Sequence, residues 1–199
     1  MNDALRIVPA NDATWDDIQT VFGQRGVAAR CQCQRFKWTE GWWEHAPREV
    51  LAAELRDQVN CGVPGADTAG LVAYLGDEPV GWCAVEPRPM YGRLLRMPVP
   101  WKGRPEEDRN DPDVWAATCF AVRAGYRRRG YSYALAAAAV DHARDRGAKA
   151  LEAYPMITKP GQNITWGEVH VGSRNMFVAA GLKQVTHPTL RRVVMRIDF

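Results

Sequence analysis

The stretch from residue 114 to residue 154 constrains the fold of this chain most strongly. It begins with VWAATCFAV, a nearly continuous apolar run at 114–122 that predicts a strand buried on both faces. After the turn RAGYRRRG, the sequence SYALAAAAVDHARDR predicts an alanine-rich helix, and ALEAY at 150–154 predicts another strand. Two strands joined through a helix in this way lie parallel and are connected by a right-handed crossover.

Shorter segments with turn signals between them predict the other elements. A strand at 4–8, a helix that begins after Thr14 and a helix at 48–59 precede the crossover unit. The apolar runs GLVAYL and PVGWCAV, joined by GDE, predict a β-hairpin. A short helix in SRNMFVAA and strands near LKQV and RRVVMRI end the chain. This order predicts an α/β (α+β) fold with a mixed sheet, in one domain over residues 1–199.

Composition excludes several classes of protein. The formal net charge of +3 is small for a dedicated nucleic-acid binder, and no run approaches the roughly 18 apolar residues of a membrane helix. The N-terminus lacks the pattern of a signal peptide, and five scattered cysteines indicate reduced thiols, so a cytoplasmic protein is expected. Cys31 and Cys33 lack the spacing and the second ligand pair of a zinc site, so no metal is expected.

The turn between the buried strand and the alanine-rich helix is the strongest functional signal. A helix start leaves backbone N–H groups without helical partners, and the helix dipole adds positive charge there. Gly130 lets a ligand approach the backbone, and Arg127, Arg128 and Arg129 can surround phosphate oxygens. The turn has neither the spacing of a Walker loop nor that of a GxGxxG dinucleotide turn. The sequence therefore predicts an anion site, with a solvated basic patch as the alternative.

These residues resemble a known family. The sequence Arg127-Arg128-Arg129-Gly130-Tyr131-Ser132 is similar to the Arg/Gln-x-x-Gly-x-Gly/Ala signature of the GNAT superfamily of acyl-CoA-dependent N-acyltransferases. The hairpin and the segment SRNMFVAAGLKQV resemble two further hallmarks of that superfamily. The resemblance implies a mixed, mostly antiparallel sheet with a splayed parallel strand pair at 114–122 and 149–154, flanked by helices.

The resemblance also implies acetyl-CoA as co-substrate and an N-acetyltransferase activity. The diphosphate of CoA would lie on the amides of residues 127–132, and its pantetheine arm would pair with the exposed edge at 120–122. A backbone N–H of that strand would polarise the thioester carbonyl. The cofactor-binding residues implied in this way are Phe120, Ala121, Val122, Arg127, Arg128, Arg129, Gly130, Tyr131, Ser132 and Phe177.

The resemblance leaves the proton-transfer groups unassigned. Members often carry a glutamate where this chain has Ala116, a tyrosine where it has Phe177 and an asparagine where it has His170. The reaction, attack of a neutral amine on the thioester, needs a base for the ammonium proton and can use a donor for the thiolate.

The sequence offers four catalytic candidates. Glu86, Glu152 and His170 are candidates for the base, of which His170 has the most convenient ordinary pKa at neutral pH. Tyr154 is the candidate donor to the thiolate. Each has a structural alternative: an ion pair with Arg88 for Glu86, a solvated strand position for Glu152, a backbone contact for His170 and core packing for Tyr154. A water chain could also replace a single base.

The sequence does not identify the acceptor of the acetyl group. The partner is an amine of a small molecule or a protein, and a homodimer is one option for the assembly. Tryptophans in the irregular stretches either line an amine pocket or belong to the core; they are Trp38, Trp42, Trp43, Trp101 and Trp166. Two other functions compete with acetyl transfer, a catalytically weak CoA-binding regulatory module and a nucleic-acid binder that uses the arginine run.

Overall fold

The computed structural model describes residues 4–159, 161 and 164–199. Within these residues the chain forms seven strands, which are β1 (Leu5–Pro9), β2 (Gly70–Leu75), β3 (Glu78–Pro87), β4 (Val114–Val122), β5 (Ala150–Ala153), β6 (Lys183–Thr189) and β7 (Arg192–Asp198). The helices are α1 (Trp15–Phe22), α2 (Gly26–Cys31), α3 (Arg48–Val59), α4 (Gly92–Arg96), α5 (Tyr131–Asp145), α6 (Trp166–Val169) and α7 (Arg174–Ala179). No described helix is long and apolar enough to cross a membrane.

The strands form one sheet in the order β1-β2-β3-β4-β5-β7-β6. Within the described residues, β4 and β5 are parallel and the other neighbouring strands are antiparallel. The mixed, mostly antiparallel sheet expected from the sequence is therefore confirmed. The strand predicted at 114–122 is β4 itself, and its side chains are buried at seven of nine positions, as the apolar run indicated.

Two helical layers cover the sheet. Helix α5 follows its N-cap Gly130 and packs on one face because its buried residues form a single stripe, which consists of Leu135, Ala136, Ala139, Val140 and Ala143. Together with α7 it encloses a core that includes Ala117, Phe120 and Leu151 of the central strands. Helices α1 and α3 cover the opposite face, where Trp82, Cys119 and Ala121 are buried. The catalytic candidates Glu86 and Glu152 share this second face, because both pair in register with Ala116.

A β-bulge in β4 causes the sheet to split. Ala117 pairs with Val85 and Cys119 with Ala84, so Thr118 is an extra residue in β4. A bulge bends its strand and increases the local twist. The parallel pairing of β4 with β5 ends immediately before the bulge, at Ala117 and Ala153, while β4 continues to Val122. A gap therefore opens between the two central strands.

Candidate active site

The turn before α5 presents backbone donors to solvent. Gly130 is the N-cap of α5 with φ of 84°, in the left-handed region that favours glycine, and no atom lies within 4 Å of the position a Cβ would take. Among the described residues, no acceptor is hydrogen-bonded to the N–H groups of residues 128–132. Five consecutive donors at the start of a 15-residue helix thus remain available to an anion.

A cleft of about 370 Å³ lies against this turn. It extends from the turn along the end of β4 to the start of α7. Its walls are formed by Phe120, Val122, Tyr126, Arg127, Arg128, Gly130, Tyr131, Ser132, Tyr133, Val169, Gly172, Ser173 and Met176. Seven of the ten residues that the sequence assigned to cofactor binding therefore line one cavity.

The three arginines of the turn differ in position. Arg127 donates through Nε to the carbonyl oxygen of Val122 at 3.1 Å, and Arg128 lines the cleft with a left-handed φ of 61°. Arg129 instead places its guanidinium 5.6 Å from the centroid of the Tyr126 ring. All three are exposed, and no carboxylate of the described residues lies within 4 Å of them. Their uncompensated charge adds to that of the helix start.

The gap beside β4 contains a second set of backbone groups. Arg123 donates its N–H to Val80 on β3 at 3.0 Å, and successive N–H groups of a strand alternate in direction. The N–H groups of Phe120 and Val122 therefore point away from β3, into the gap. The Phe120 N–H donates to the carbonyl oxygen of His170 at 2.6 Å. The edge that the sequence predicted to be exposed at 120–122 is thus already occupied at Phe120.

Residues 169–173, which we call the partition segment, fill this gap. Besides the bond to Phe120, the carbonyl oxygen of Gly172 accepts the N–H of Met156 at 3.0 Å, beyond the end of β5. Gly172 has φ of 81°, and a Cβ there would lie 2.7 Å from the Met176 side chain. Val169, Gly172 and Ser173 face the cleft, whereas His170 and Val171 face a cavity on its other side. One short segment therefore separates two cavities.

The second cavity, which we call the rear pocket, has a volume of about 190 Å³. Its walls are Arg35, Phe36, Leu94, Met97, Val99, Pro100, Tyr154, His170, Val171, Pro188, Thr189, Arg192, Val193 and Val194. Of the four catalytic candidates, His170 and Tyr154 line it, and Glu86 and Glu152 line neither this pocket nor the cleft.

The His170 ring has a defined orientation. It stacks on Phe36 with 5.8 Å between ring centroids, and its Nδ1 lies 3.0 Å from the carbonyl oxygen of Gly167. A carbonyl oxygen only accepts, so Nδ1 carries the hydrogen in this contact. The neutral ring then has its lone pair on Nε2, the form in which a histidine acts as a base.

Glu152 belongs to a buried charge cluster. Its carboxylate is fully buried and contacts Arg88 at 3.0 Å and Arg196 at 3.1 Å, and also pairs with Arg104. Burial alone would raise the pKa of Glu152, but the arginines, Arg104 first, hold it below the ordinary value. The Tyr154 hydroxyl donates to Glu152 at 2.9 Å, and burial holds the pKa of Tyr154 well above its usual range. Glu152 is therefore poorly suited to accept a proton at neutral pH.

Glu86 is the other carboxylate on this face. It forms an ion pair with Lys37, and both side chains are almost entirely buried. Lys37 also donates to Gln58 at 2.9 Å. The alternative expected from the sequence, an ion pair of Glu86 with Arg88, is wrong in its partner, because Glu86 pairs with Lys37 and Arg88 pairs with Glu107 and Glu152.

Other residues singled out in the sequence lie outside the two cavities. Phe177 is fully buried behind Phe120, with 5.6 Å between their ring centroids, and Ala121 faces the opposite side of the sheet. Trp43 and Trp101 are buried in the core, and Trp38 and Trp42 do not line the rear pocket, so no amine cage forms from these four. The Trp166 side chain lies outside the described part of the structure.

Comparison with known proteins identifies the family. A sequence profile described as "Acetyltransferase (GNAT) family" matches residues 31–161, about two thirds of the chain. The chain belongs to the GNAT acetyltransferase family. A GNAT acetyltransferase takes acetyl-CoA as its co-substrate, so the protein is a transferase of acetyl groups. A search of curated proteins finds no significant match.

Solved structures of GNAT proteins share the fold. A GCN5-related N-acetyltransferase from Kribbella flavida is 18% identical, with both chains covered in full and a TM-score of 0.54. An acetyltransferase from Thermus thermophilus is 15% identical, also with full coverage, at 0.51. The PaiA N-acetyltransferase from Thermoplasma acidophilum, solved in complex with coenzyme A, is 12% identical at 0.56, covering 98% of this chain and 99% of that one. At these identities the likeness shows the GNAT fold alone.

Sequence reasoning missed most of the rear pocket. Arg35, Phe36 and Arg192 carry no local signal, because the pocket collects residues from chain positions 35 to 194. It also missed the arginines around Glu152, which lie in the long connection before β4 and on β7. Pairing of strands and closure of loops bring these groups together, and no motif spans them.

Proposed function

We propose that the cleft binds acetyl-CoA and that the rear pocket binds the primary amine that receives the acetyl group. The observation that carries this proposal is the run of unengaged N–H groups at residues 128–132 on the cleft. They would hold the diphosphate, with Arg127 and Arg128 beside it. The pantetheine arm would follow β4 past Val122, which brings the thioester to the partition segment between the two cavities.

The proposed reaction is direct transfer. The amine nitrogen forms a bond to the thioester carbon, the carbon–sulfur bond breaks, and the sulfur leaves as CoA thiolate, which takes up a proton. His170 Nε2 would accept the proton that the substrate ammonium must lose for its neutral amine to attack. The Phe120 N–H would turn from the His170 carbonyl to the thioester oxygen and stabilise its developing charge. Tyr154, which keeps its proton and donates it to Glu152, would shape the pocket.

We expect His170→Gln to lower kcat for acetyl transfer by about 100-fold or more, the size of a general-base contribution. Release of free CoA from acetyl-CoA with a panel of primary amines, followed by thiol titration, measures this. The variant should also lose the rise of kcat with pH that deprotonation of an imidazole produces. His45→Gln, which changes a histidine outside both cavities, serves as control. An unchanged pH profile in His170→Gln would remove His170 from this role.

The catalytically weak CoA-binding module remains the second candidate. The bond from Phe120 to His170 favours it, because in this arrangement the proposed oxyanion donor is engaged by the protein itself. Micromolar acetyl-CoA binding without CoA release for any amine would support the module and contradict the transferase mechanism. Binding of oligonucleotides in place of acetyl-CoA, with steep dependence on salt, would contradict both.

We also propose that the protein acts in the cytoplasm. The five cysteines are free thiols, and those at 31, 33, 83 and 119 are buried. Burial raises the pKa of the Cys31 thiol to about 12, which keeps it protonated and unreactive. Localisation of a tagged protein in fractionated cells tests this placement.

A further inference from the structure

Two guanidinium groups line the rear pocket without a carboxylate partner. Arg35 donates to the carbonyl oxygen of Gly167 at 3.1 Å, and Arg192 donates to that of Glu168 at 3.5 Å. Both side chains are half-buried. Among the described residues, no carboxylate lies within 4 Å of either group. The direct hydrogen-bond partners of these two positive charges at the wall of a small pocket are therefore neutral oxygen atoms. The Arg35 guanidinium also lies over the Trp43 ring, and Arg192 interacts with the more distant carboxylate of Glu168.

The nearby carboxylates are engaged elsewhere. Glu168 binds Arg191 at 2.7 Å, and Glu152 binds the arginines beneath the pocket. Burial, and then repulsion from Arg35 and Arg191, lowers the pKa of Arg192, so its charge is held at a cost in this place. An anion in the pocket would offset that cost, whereas a neutral or cationic occupant would leave it in place.

The rest of the pocket is mostly apolar, with Tyr154, His170 and Thr189 as its other polar side chains. Its walls include Phe36, Leu94, Met97, Val99, Val171 and Val194. The volume of about 190 Å³ lies below the roughly 300–1,000 Å³ of pockets that take drug-sized ligands. The pocket therefore fits a small molecule with an apolar body, and among the described residues that line it the two guanidinium groups carry full positive charge.

We infer that the acceptor is a small amine that also carries a carboxylate and an apolar group, the chemistry of an amino acid with an aliphatic or aromatic side chain. The inference rests on the proposed function, in which the amine lies at the His170 wall of the rear pocket. The carboxylate then lies at the guanidinium groups of Arg35 and Arg192, which match its planar geometry. The apolar group contacts the Phe36 and Val171 side of the pocket.

The test compares acceptors that differ in one group. CoA release is measured with acetyl-CoA and leucine, leucinamide or isoamylamine, which share the apolar group and the amine. We expect kcat/KM for leucine to exceed that for leucinamide by about 30-fold, the size of a hydrogen bond to a charged group. The amine of the amide is the less basic of the two, so at equal pH this bias works against the expected result.

Substitutions of the pocket arginines show which side chains cause the preference for the carboxylated acceptor. Arg192→Gln should lower the leucine to leucinamide ratio by about tenfold. Arg191→Gln removes the adjacent charge, which is half exposed and paired with Glu168, and should leave the ratio unchanged. Arg35→Gln provides a second variant should Arg192→Gln not fold. Calorimetric binding of N-acetyl-leucine and N-acetyl-isoamylamine to the unmodified protein in the presence of CoA gives a readout independent of turnover, with the carboxylated product expected to bind more tightly.

The outcomes separate the two proposals. Acetyl-CoA binding without CoA release for any amine would overturn the proposed function. Transfer to isoamylamine or leucinamide as efficient as to leucine, or a leucine preference that survives in both Arg192→Gln and Arg35→Gln, would overturn the anionic acceptor and leave the transferase intact. Tighter binding of N-acetyl-isoamylamine than of N-acetyl-leucine would overturn it as well.

Discussion

The Gly130→Asp variant is expected to bind acetyl-CoA about 100-fold more weakly than the unmodified protein, a loss of about 2.7 kcal/mol. The substitution places a carboxylate at the N-terminus of α5, among the five N–H groups that would hold the diphosphate. A Cβ at this position meets no protein atom within 4 Å, so the protein leaves room for the new side chain at the turn. Two anionic groups at one position repel each other, and the carboxylate also competes for the same donors. Isothermal titration with acetyl-CoA measures the change.

A matched control is available at the other end of the same helix. Gly147 also has a left-handed φ, 78°, and also has no atom within 4 Å of a Cβ position. Gly147→Asp therefore introduces the same side chain on the same type of backbone, away from the cleft. It should leave the affinity for acetyl-CoA unchanged. Equal affinities in the Gly130 and Gly147 variants would mean that the turn does not bind the diphosphate.

The Glu152→Gln variant is expected to lose about 3–5 kcal/mol of unfolding free energy at pH 7. The substitution leaves Arg88 and Arg104 buried beside a neutral amide, and Arg88 is fully buried. The loss is costly because the two buried guanidinium groups then share the single carboxylate of Glu107, so part of their charge has no compensation. For a chain of this length, the midpoint of thermal unfolding should fall by roughly 10 °C. Glu78→Gln, in an exposed pair with Arg123, is the control and should change stability by less than about 1 kcal/mol.

The ion pairs of Glu152 also predict that the stability of the protein depends on pH. The pKa of Glu152 is lower in the folded protein than its ordinary value of about 4.5. The unfolded chain therefore binds the proton first as the pH falls, and the stability from this group, fully present above pH 4.5, is lost as the pH decreases through the folded pKa. The free energy of unfolding of the unmodified protein and of Glu152→Gln, measured with denaturant from acidic to neutral pH, tests this. The difference between the unmodified protein and Glu152→Gln should narrow below pH 4.5, and a difference that stays constant would contradict the assignment.

Much of the fold could be predicted from local patterns. The strand at 114–122, the helix at 48–59 and the hairpin reflect apolar periodicity, capping residues and turn residues, which act within a few positions of the chain. The glycine turn with unengaged N–H groups at Gly130 was predictable for the same reason, because one strand, one turn and one helix form it. The short helices α4 and α6 were not predicted, since each is little more than one turn within a long connection.

The chemistry of the site was less accessible from sequence. The ion pairs of Glu152 involve Arg104, which lies 48 positions before it, and Arg196, which lies 44 positions after it. The partner of Glu86, Lys37, lies 49 positions before it. The bond that occupies the Phe120 N–H comes from His170, at the end of an irregular loop. A resemblance in motif predicts a local backbone turn, but it does not predict ion pairs between side chains that lie more than 40 positions apart.

The hydrogen bond between Phe120 and His170 has a thermodynamic consequence under the proposed reaction. The Phe120 N–H can bind either the carbonyl oxygen of His170 or the thioester oxygen of acetyl-CoA. Binding of acetyl-CoA is therefore coupled to displacement of residues 169–173. The measured affinity for acetyl-CoA then includes the free energy of that displacement. After the transfer, CoA has no thioester oxygen at this position. The carbonyl oxygen of His170 then binds the Phe120 N–H again, which favours release of CoA.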